Sequence, residues 1–363
     1  MRPFIFIWML FALLLSFCGN RLNAMDVSEG SAGGSFGCCA QNGTTGMVSP
    51  GEGSAMTMTF PGATPWDMPR DTPDEPMNLP YDNSRMGTVD GIRMHYRHWE
   101  QPEGERKGSC LLLHGFGAST FSWQEVADSL HQLGYEVVAV DLPPFGYSDK
   151  SDGINQSVTA HALRIKKLTE EDLPGRKWHL AGHSMGGSVA QAFALQYPEH
   201  LRSVTFVSAA LFLTLQHESQ PARALLRLSP MRFLLGELAE EWVITRRRVE
   251  GMLESAYGTP PEDRQVEAYL RPLQIPGTAR AILAAATFHE ELTSLDAAEL
   301  RVPALAIWGD SDTWVPVERR KRILERMPDT ELIMLKGVGH NPMETHFNDY
   351  MRSWIPFLEA HDN

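Results

Sequence analysis

The chain has 363 residues, 43% of them hydrophobic, enough to bury one large core or two modest ones, so an enzyme-sized globular protein is the expected class and wholesale disorder is excluded. Its 45 acidic against 32 basic residues give a formal charge of -13, which repels nucleic acid and anionic lipid, so a nucleic-acid partner is not expected. The four cysteines, Cys18, Cys38, Cys39 and Cys110, lack the spacing of a zinc site, and the adjacent Cys38-Cys39 pair does not suit an ordinary disulfide framework, so neither metal nor disulfide scaffold is implied.

The chain opens with Met1-Arg2 and an apolar stretch from Phe4 to Phe17, the charged start and short greasy core of an export signal, too short for a comfortable membrane span. Cleavage could follow Leu22-Asn23-Ala24, whereas Leu15-Ser16-Phe17-Cys18 is a lipoprotein-type site spoiled by Phe17. Residues 1–24 are thus expected to be a leader that exports the chain or associates it with a membrane; with synthesis starting at Met25 instead, the protein would be cytoplasmic. Residues 25–83, rich in Gly, Ser, Thr, Met and Pro without apolar period, are expected to form a flexible linker, either a spacer behind an anchor or an extension without a specific role. No internal repeat is evident, which argues against a solenoid or propeller.

From Arg85 the pattern becomes orderly. Arg85 to Val89 and Ile92 to Trp99 flank Asp90-Gly91, a two-residue hairpin signal, and Ser109 to Leu113 reads as a buried strand. An amphipathic helix near Trp123 to Leu133, a strand from Glu136 to Val140, a helix from about Val158 to Leu173 and a strand ending at Ser184 follow. Then come a helix from Met185 to Tyr197, strands at Val204 to Ser208, Ala304 to Trp308 and Leu332 to Leu335, and a last helix near Asn348 to Ala360. Such alternation indicates an α/β fold whose mainly parallel sheet is covered on both faces. Between Leu211 and about Glu299 no strand pattern appears, only recurrent apolar pairs such as Met252-Leu253 and Ile282-Leu283. A helical insertion placed there sits over the carboxyl edge of the sheet, where ligands bind, and is expected to act as a lid rather than as an independent helical domain.

Three loops carry candidate chemistry. Gly182-His183-Ser184-Met185-Gly186 places a serine where a strand breaks sharply into a helix, and the flanking glycines suit a corner that leaves no room for side chains. A serine hydroxyl is a poor nucleophile at neutral pH; it needs an imidazole base, and that imidazole needs a carboxylate. Gly309-Asp310-Ser311-Asp312 ends one late strand with two candidate acids, and Gly337-Val338-Gly339-His340 ends the next with a histidine.

With these loops in the order Ser, Asp, His, the sequence from about Arg85 to Ala360 resembles the α/β-hydrolase family, particularly its capped members. The resemblance implies a sheet of about eight strands, with residues 84–212 and 300–363 as the core and 213–299 as a helical cap. It maps the acid onto Asp312 rather than Asp310, the base onto His340, and leaves His346 structural. His114-Gly115-Phe116-Gly117 resembles the family's turn after the third strand, so the backbone N–H groups of Phe116 and Met185 are implied as the oxyanion hole, with His114 structural. Asp141 to Asp149 resembles a family loop that shapes the pocket, departing from it at Pro144, which cannot take positive φ. Relatives that open epoxides or displace halide carry aspartate at the elbow, so Ser184 implies attack on a carbonyl.

The expected function is a cofactor-free serine hydrolase acting on a small or medium apolar carboxylic ester, with Trp123 and Trp314 as candidate pocket residues, although aromatics beside a core often only pack. Carbon–carbon bond hydrolysis and perhydrolase chemistry on the same fold stay open, as does a ligand-binding protein without turnover. A dinucleotide-binding reading of Gly115-x-Gly117 with Asp141 fails at Thr120, which stands where the third glycine belongs. Oligomeric state is not legible.

Overall fold

The computed structural model describes residues 79–101, 107–213, 235–236, 239, 243–285 and 295–362. The expected leader, and the linker as far as residue 78, lie outside the described residues. Tyr81 already packs against the folded unit, with the Arg97 guanidinium 3.9 Å above its ring and its N–H on Ser84 Oγ, so the domain begins before residue 84.

Eight strands form one sheet in the order β1-β2-β4-β3-β5-β6-β7-β8. The hairpin of β1 (Ser84–Val89) and β2 (Ile92–Trp99) turns at Asp90 and Gly91, both at positive φ, as a two-residue turn between right-twisted strands requires. From β3 (Ser109–Leu113) and β4 (Glu136–Val140) onward every pairing is parallel, through β5 (Trp178–His183), β6 (Leu201–Val207), β7 (Ala304–Gly309) and β8 (Thr330–Leu335). The central strands are buried on both faces, which is why they read as unbroken apolar runs. Strand β6 starts three residues before its expected position, behind the Pro198–His200 helical turn, and polar Arg202 and Ser203 hid that start from an apolar count.

Alternate side chains feed two cores. Leu111, Leu113, Leu180, Phe206 and Trp308 face α2 (Val158–Asp172) and α3 (Met185–Gln196). Cys110, Leu112, Ala181, Val207 and Ile307 face α1 (Gln124–Gln132) and the last helix, α8 (Phe347–Ala360). Cys110 is a buried free thiol. Ser157 starts α2 by accepting the Ala160 N–H, and Trp354 of α8 donates its indole N–H to Thr205 Oγ1 at 2.8 Å inside the second core.

Between β6 and β7, the described part of the insertion consists largely of α4 (Arg246–Tyr257), α5 (Asp263–Leu273) and α6 (Thr278–Ala285) and contains no strand. A third apolar cluster joins α4 and α5 to Ala118, Phe121 and Trp314, which lie on loops at the carboxyl ends of β3 and β7. The insertion therefore lies over that edge of the sheet. No helix among the described residues is long and apolar enough to cross a membrane, and no group of three or more His, Cys, Asp or Glu side chains among them is arranged to hold a metal ion.

Trp354 tests the two-core description, because it fills space and satisfies a buried hydroxyl. Trp354→Ala should lose about 3–5 kcal/mol in urea unfolding, whereas Trp354→Phe, which keeps the ring and loses the N–H, should lose clearly less.

Candidate active site

Strand β5 ends just before Ser184, whose backbone takes φ +50 and ψ -117, a region that side-chain-bearing residues enter only when their surroundings force it. Three backbone bonds do so here. The Ser184 N–H reaches the Val207 carbonyl of β6 at 3.0 Å, and the Ser184 carbonyl accepts from Gly187 at 3.0 Å and Ala210 at 2.9 Å. A Cβ on Gly182 would collide with the Gly186 carbonyl, and one on Gly186 with the carbonyls of Leu113 and His114. Strand and helix can pass this closely only without side chains, so both glycines are steric necessities.

The turn after β3 runs along this elbow. A Cβ on Gly115 would stand 3.1 Å from Ser184 Cβ and 2.9 Å from His183 Nδ1, so this turn lies against the elbow. His114 Nε2 accepts the Leu142 N–H at 2.9 Å, so its Nδ1 carries the proton and donates to the Gly115 carbonyl at 2.7 Å. Burial pushes the His114 pKa down and keeps the ring neutral. The Asp141 carboxylate accepts from Thr120 N–H at 2.6 Å and Tyr147 N–H at 2.8 Å, binding the loops after β3 and β4 together. Burial pushes this carboxyl up, but His95 by charge and hydrogen bond, with His114 and the Tyr147 N–H, holds it below its ordinary value. Gly146, at positive φ, leaves room for that carboxylate, and the Pro143–Pro144 peptide before it is cis.

Asp312 and His340 meet. The Asp312 Oδ1 accepts the N–H groups of Trp314 and Val315, each at 2.9 Å, and its Oδ2 faces His340 Nδ1 at 2.8 Å. Both side chains are buried. Burial raises the Asp312 pKa, yet the hydrogen bond and charge of His340, then the two backbone donors, outweigh it and hold the carboxyl below its usual value. An ionised Asp312 fixes the proton of neutral His340 on Nδ1 and leaves Nε2 with a lone pair. Asp310, the alternative acid, is exposed and instead accepts the Gly337 N–H at 2.7 Å, tying the loops after β7 and β8.

The backbone of His340 is clamped as well. Its N–H donates to the Ala256 carbonyl at 2.7 Å, and its carbonyl accepts from His183 Nε2 at 2.9 Å. His183, next to Ser184 in sequence, thus links the elbow to the histidine loop, with the two imidazole centroids 4.7 Å apart. Burial and the neighbouring His340 push the His183 pKa down to about 3, so this ring stays neutral at physiological pH. Among the described residues no hydrogen bond joins the Ser184 hydroxyl to the His340 ring.

The aromatic candidates separate. Trp314 stacks on His340, with centroids 5.6 Å apart and planes at 22°, and its indole N–H reaches Ser255 of α4 at 3.1 Å. Trp123 is instead wholly buried in the second core beside Tyr350, so its expected place in a substrate pocket is corrected: it is packing. Met185 packs partly on the first core at the start of α3, and the Phe116 ring lies edge-on to Phe145 at 5.0 Å. His346 holds the joint between α7 (Pro342–Thr345) and α8.

One arrangement escaped the sequence reading. Ser84 Oγ, His95 and Asp141 form a continuous hydrogen-bonded Ser-His-Asp chain, at 2.7 Å for each contact, buried at the β1–β2 hairpin. Ser84 sits in an ordinary strand, without a strand-to-helix corner. Only the alternating polar residues of β2 hinted at it, and half-exposed strands show the same alternation.

Residues 110–347 match the sequence profile of the α/β hydrolase fold. The chain belongs to this family. It is 30% identical to YugF, an uncharacterized hydrolase of Bacillus subtilis (strain 168), over 70% of this chain and 90% of that protein. It is 27% identical to Lipase 3 of Moraxella sp. (strain TA144), covering 74% of this chain and 82% of the lipase. At 26% identity it is also similar to a 2-hydroxy-6-oxononadienedioate/2-hydroxy-6-oxononatrienedioate hydrolase of Burkholderia vietnamiensis (strain G4 / LMG 22486), over 74% and 91% of the two chains. With a hydrolase family shown, the two neighbouring acids can be compared by turnover. Asp312→Asn should cut hydrolytic turnover by about 10³- to 10⁴-fold, and Asp310→Asn, on the surface, should leave it within about threefold; a severe loss in the second variant alone would point to Asp310 instead.

Proposed function

We propose that the protein is a serine hydrolase that cleaves small or medium apolar carboxylic esters through an acyl-enzyme. The observation that carries this reading is the buried 2.8 Å pairing of His340 with Asp312 on a loop tied through His183 to the strained Ser184 elbow. On substrate binding, Ser184 turns its hydroxyl toward His340 Nε2; catalytic hydrogen bonds often tighten only at this stage. The Ser184 oxygen attacks the ester carbonyl carbon while His340 takes the hydroxyl proton. Asp312 orients the imidazole and stabilises its charged form. The N–H groups of Phe116 and Met185 receive the developing oxyanion, and one such donor is typically worth about 3 kcal/mol of barrier. Collapse breaks the bond to the alkoxy oxygen, which leaves as alcohol with the proton from His340. Water then attacks the acyl-enzyme with His340 as base, releasing the carboxylic acid and restoring Ser184.

The neighbouring groups favour this proton cycle. Neutral His183 puts no second positive charge beside the imidazolium. The carboxyl end of α4, whose Ala256 carbonyl touches the His340 peptide, carries partial negative charge that stabilises it further. The insertion serves as a cap whose Val249 and Leu253, packed with Ala118, Phe121 and Trp314, give the approach to Ser184 an apolar character suited to an acyl chain. A carbon–carbon hydrolase acting on a dienoic ketoacid is the second reading, because a relative at 26% identity is named a 2-hydroxy-6-oxononadienedioate hydrolase. A dienoic ketoacid tested beside p-nitrophenyl acetate, butyrate and octanoate separates the two.

The Ser84-His95-Asp141 chain supplies an internal control. A fluorophosphonate should label Ser184 and release its fluoride in wild type, and Ser184→Ala should abolish labelling although Ser84, His95 and Asp141 remain intact. Peptide mapping of the adduct checks this. Labelling that survives in Ser184→Ala removes the nucleophile, and ligand binding without ester turnover in wild type would favour a receptor.

A further inference from the structure

Four residues beyond His340, the Glu344 side chain collects three donors from three separate segments. The Tyr257 hydroxyl, at the last residue of α4, meets Glu344 Oε2 at 2.8 Å; the Tyr269 hydroxyl of α5 meets Oε1 at 2.6 Å; and Asn341 Nδ2, adjoining His340, meets Oε1 at 2.8 Å. The same end of α4 touches the histidine loop through its backbone. Helix α4 stops at Gly258 in the left-handed region, which leaves its last carbonyls without helical partners. The Ala256 carbonyl takes the His340 N–H at 2.7 Å, and a Cβ on Gly339 would fall 2.6 and 2.8 Å from the carbonyl oxygens of Ala256 and Tyr257. These contacts close a ring running from His340 through Ala256, Tyr257, Glu344 and Asn341 back to His340.

We propose that Glu344 is a positioning residue that, by clasping Tyr257 and Tyr269 of the insertion to the histidine loop, sets the orientation of the His340 imidazole. The proposal rests on the reading of His340 as the proton carrier. Glu344 touches neither substrate nor reacting atoms; it acts through the α4 end and Asn341. Such indirect support matters, since a displacement of about 1 Å at a proton-transfer group can reduce turnover on the order of 100-fold.

The clasp has two protonation states. As a carboxylate, Glu344 accepts from all three donors; as an acid, one of its oxygens carries a proton, and the tyrosine hydroxyl facing it must turn its own O–H away and accept instead. Burial pushes the group up to about 7, outweighing the hydrogen bonds from Tyr269, Asn341 and Tyr257. The charges nearby are Glu125 of α1, which raises Glu344 further, and Arg264 of α5, which pairs with Glu125 at 3.1 Å. Glu344 forms part of the wall of a crevice shared with Phe121, Gln124, Glu125 and Arg264, which gives water a route to the proton. Since its folded pKa lies above its ordinary value of 4.5, the folded state binds the proton more tightly than the unfolded chain. Stability from this site is fully present below about 4.5, falls as pH rises toward about 7, and then levels. Ionisation thus costs stability while it completes the clasp.

The test uses the full chain and p-nitrophenyl acetate from pH 5 to 9, with hydrogen exchange of the peptide containing His340 read in parallel. Wild type should show an acid limb of kcat steeper than the single ionisation of His340 gives. Glu344→Gln, which cannot become an anion, should show a limb of slope one, a kcat at pH 8 lower by about tenfold with KM within about twofold, and faster exchange at the His340 amide. Tyr269→Phe removes one donor and no packing volume, so it reports even where Glu344→Gln folds poorly, and it should fall between wild type and Glu344→Gln. Turnover and pH profile like wild type in both variants would overturn the proposal, whether or not exchange changed. Absence of fluorophosphonate labelling at Ser184 in wild type would instead strike the serine hydrolase reading itself.

Discussion

The His340 peptide is gripped from both sides, and the rest of the site depends on that grip. Its N–H belongs to the end of α4 and its carbonyl to the His183 ring, one residue before the elbow serine. A histidine on a glycine-rich loop would otherwise sample many orientations, because Gly337 and Gly339 provide little restraint of their own. The Asp312 hydrogen bond then has only the ring rotation left to fix. Backbone contacts set the loop, and a carboxylate sets the side chain.

The molecule contains one fully hydrogen-bonded Ser-His-Asp chain, at Ser84, and one His-Asp pair, His340 with Asp312, on a loop tied to the Ser184 elbow, and comparing them separates chemistry from constellation. Ser84 has an imidazole and a buried aspartate at shorter contacts than those around His340. What it lacks is the setting: its backbone is regular strand, its hydroxyl already has partners in His95 and Tyr81, and no helix begins beside it to offer unpaired N–H groups. Ser184 has φ +50, a helix start at Met185 and the Gly115 turn against its flank. On the proposed reading, the corner matters to Ser184 as much as the side chains around it. Asp141 does structural work in the Ser84 chain by joining the loops after β3 and β4.

Most of the fold was legible because strand and helix periods are local properties. The Asp90-Gly91 turn, β3 and β4 stand where hairpin chemistry and apolar runs put them. Boundaries slipped where polar residues interrupt a strand, as in β6, or where the edge strand β8 is only partly covered. At the site, glycine spacing and loop order pointed to Ser184, His340 and the choice of Asp312 over Asp310. The supporting groups were not legible. Nothing in the spacing of Tyr257, Tyr269 and Glu344 says that they converge, because that convergence is set by how α4 and α5 pack on Ala118 and Trp314. Trp123 misled for the opposite reason: nearness in sequence to the turn after β3 says nothing about which face of the sheet a side chain meets, and here it meets α8.

The left-handed stop at Gly258 leaves two main-chain oxygens facing a loop from another part of the chain. A segment that in many architectures could be exchanged as a module is here bonded to the loop that carries His340. Grafting a foreign segment between β6 and β7 would remove the acceptor of the His340 amide, so change in this region is expected to proceed by side-chain replacement along α4 and α5 rather than by wholesale transplantation.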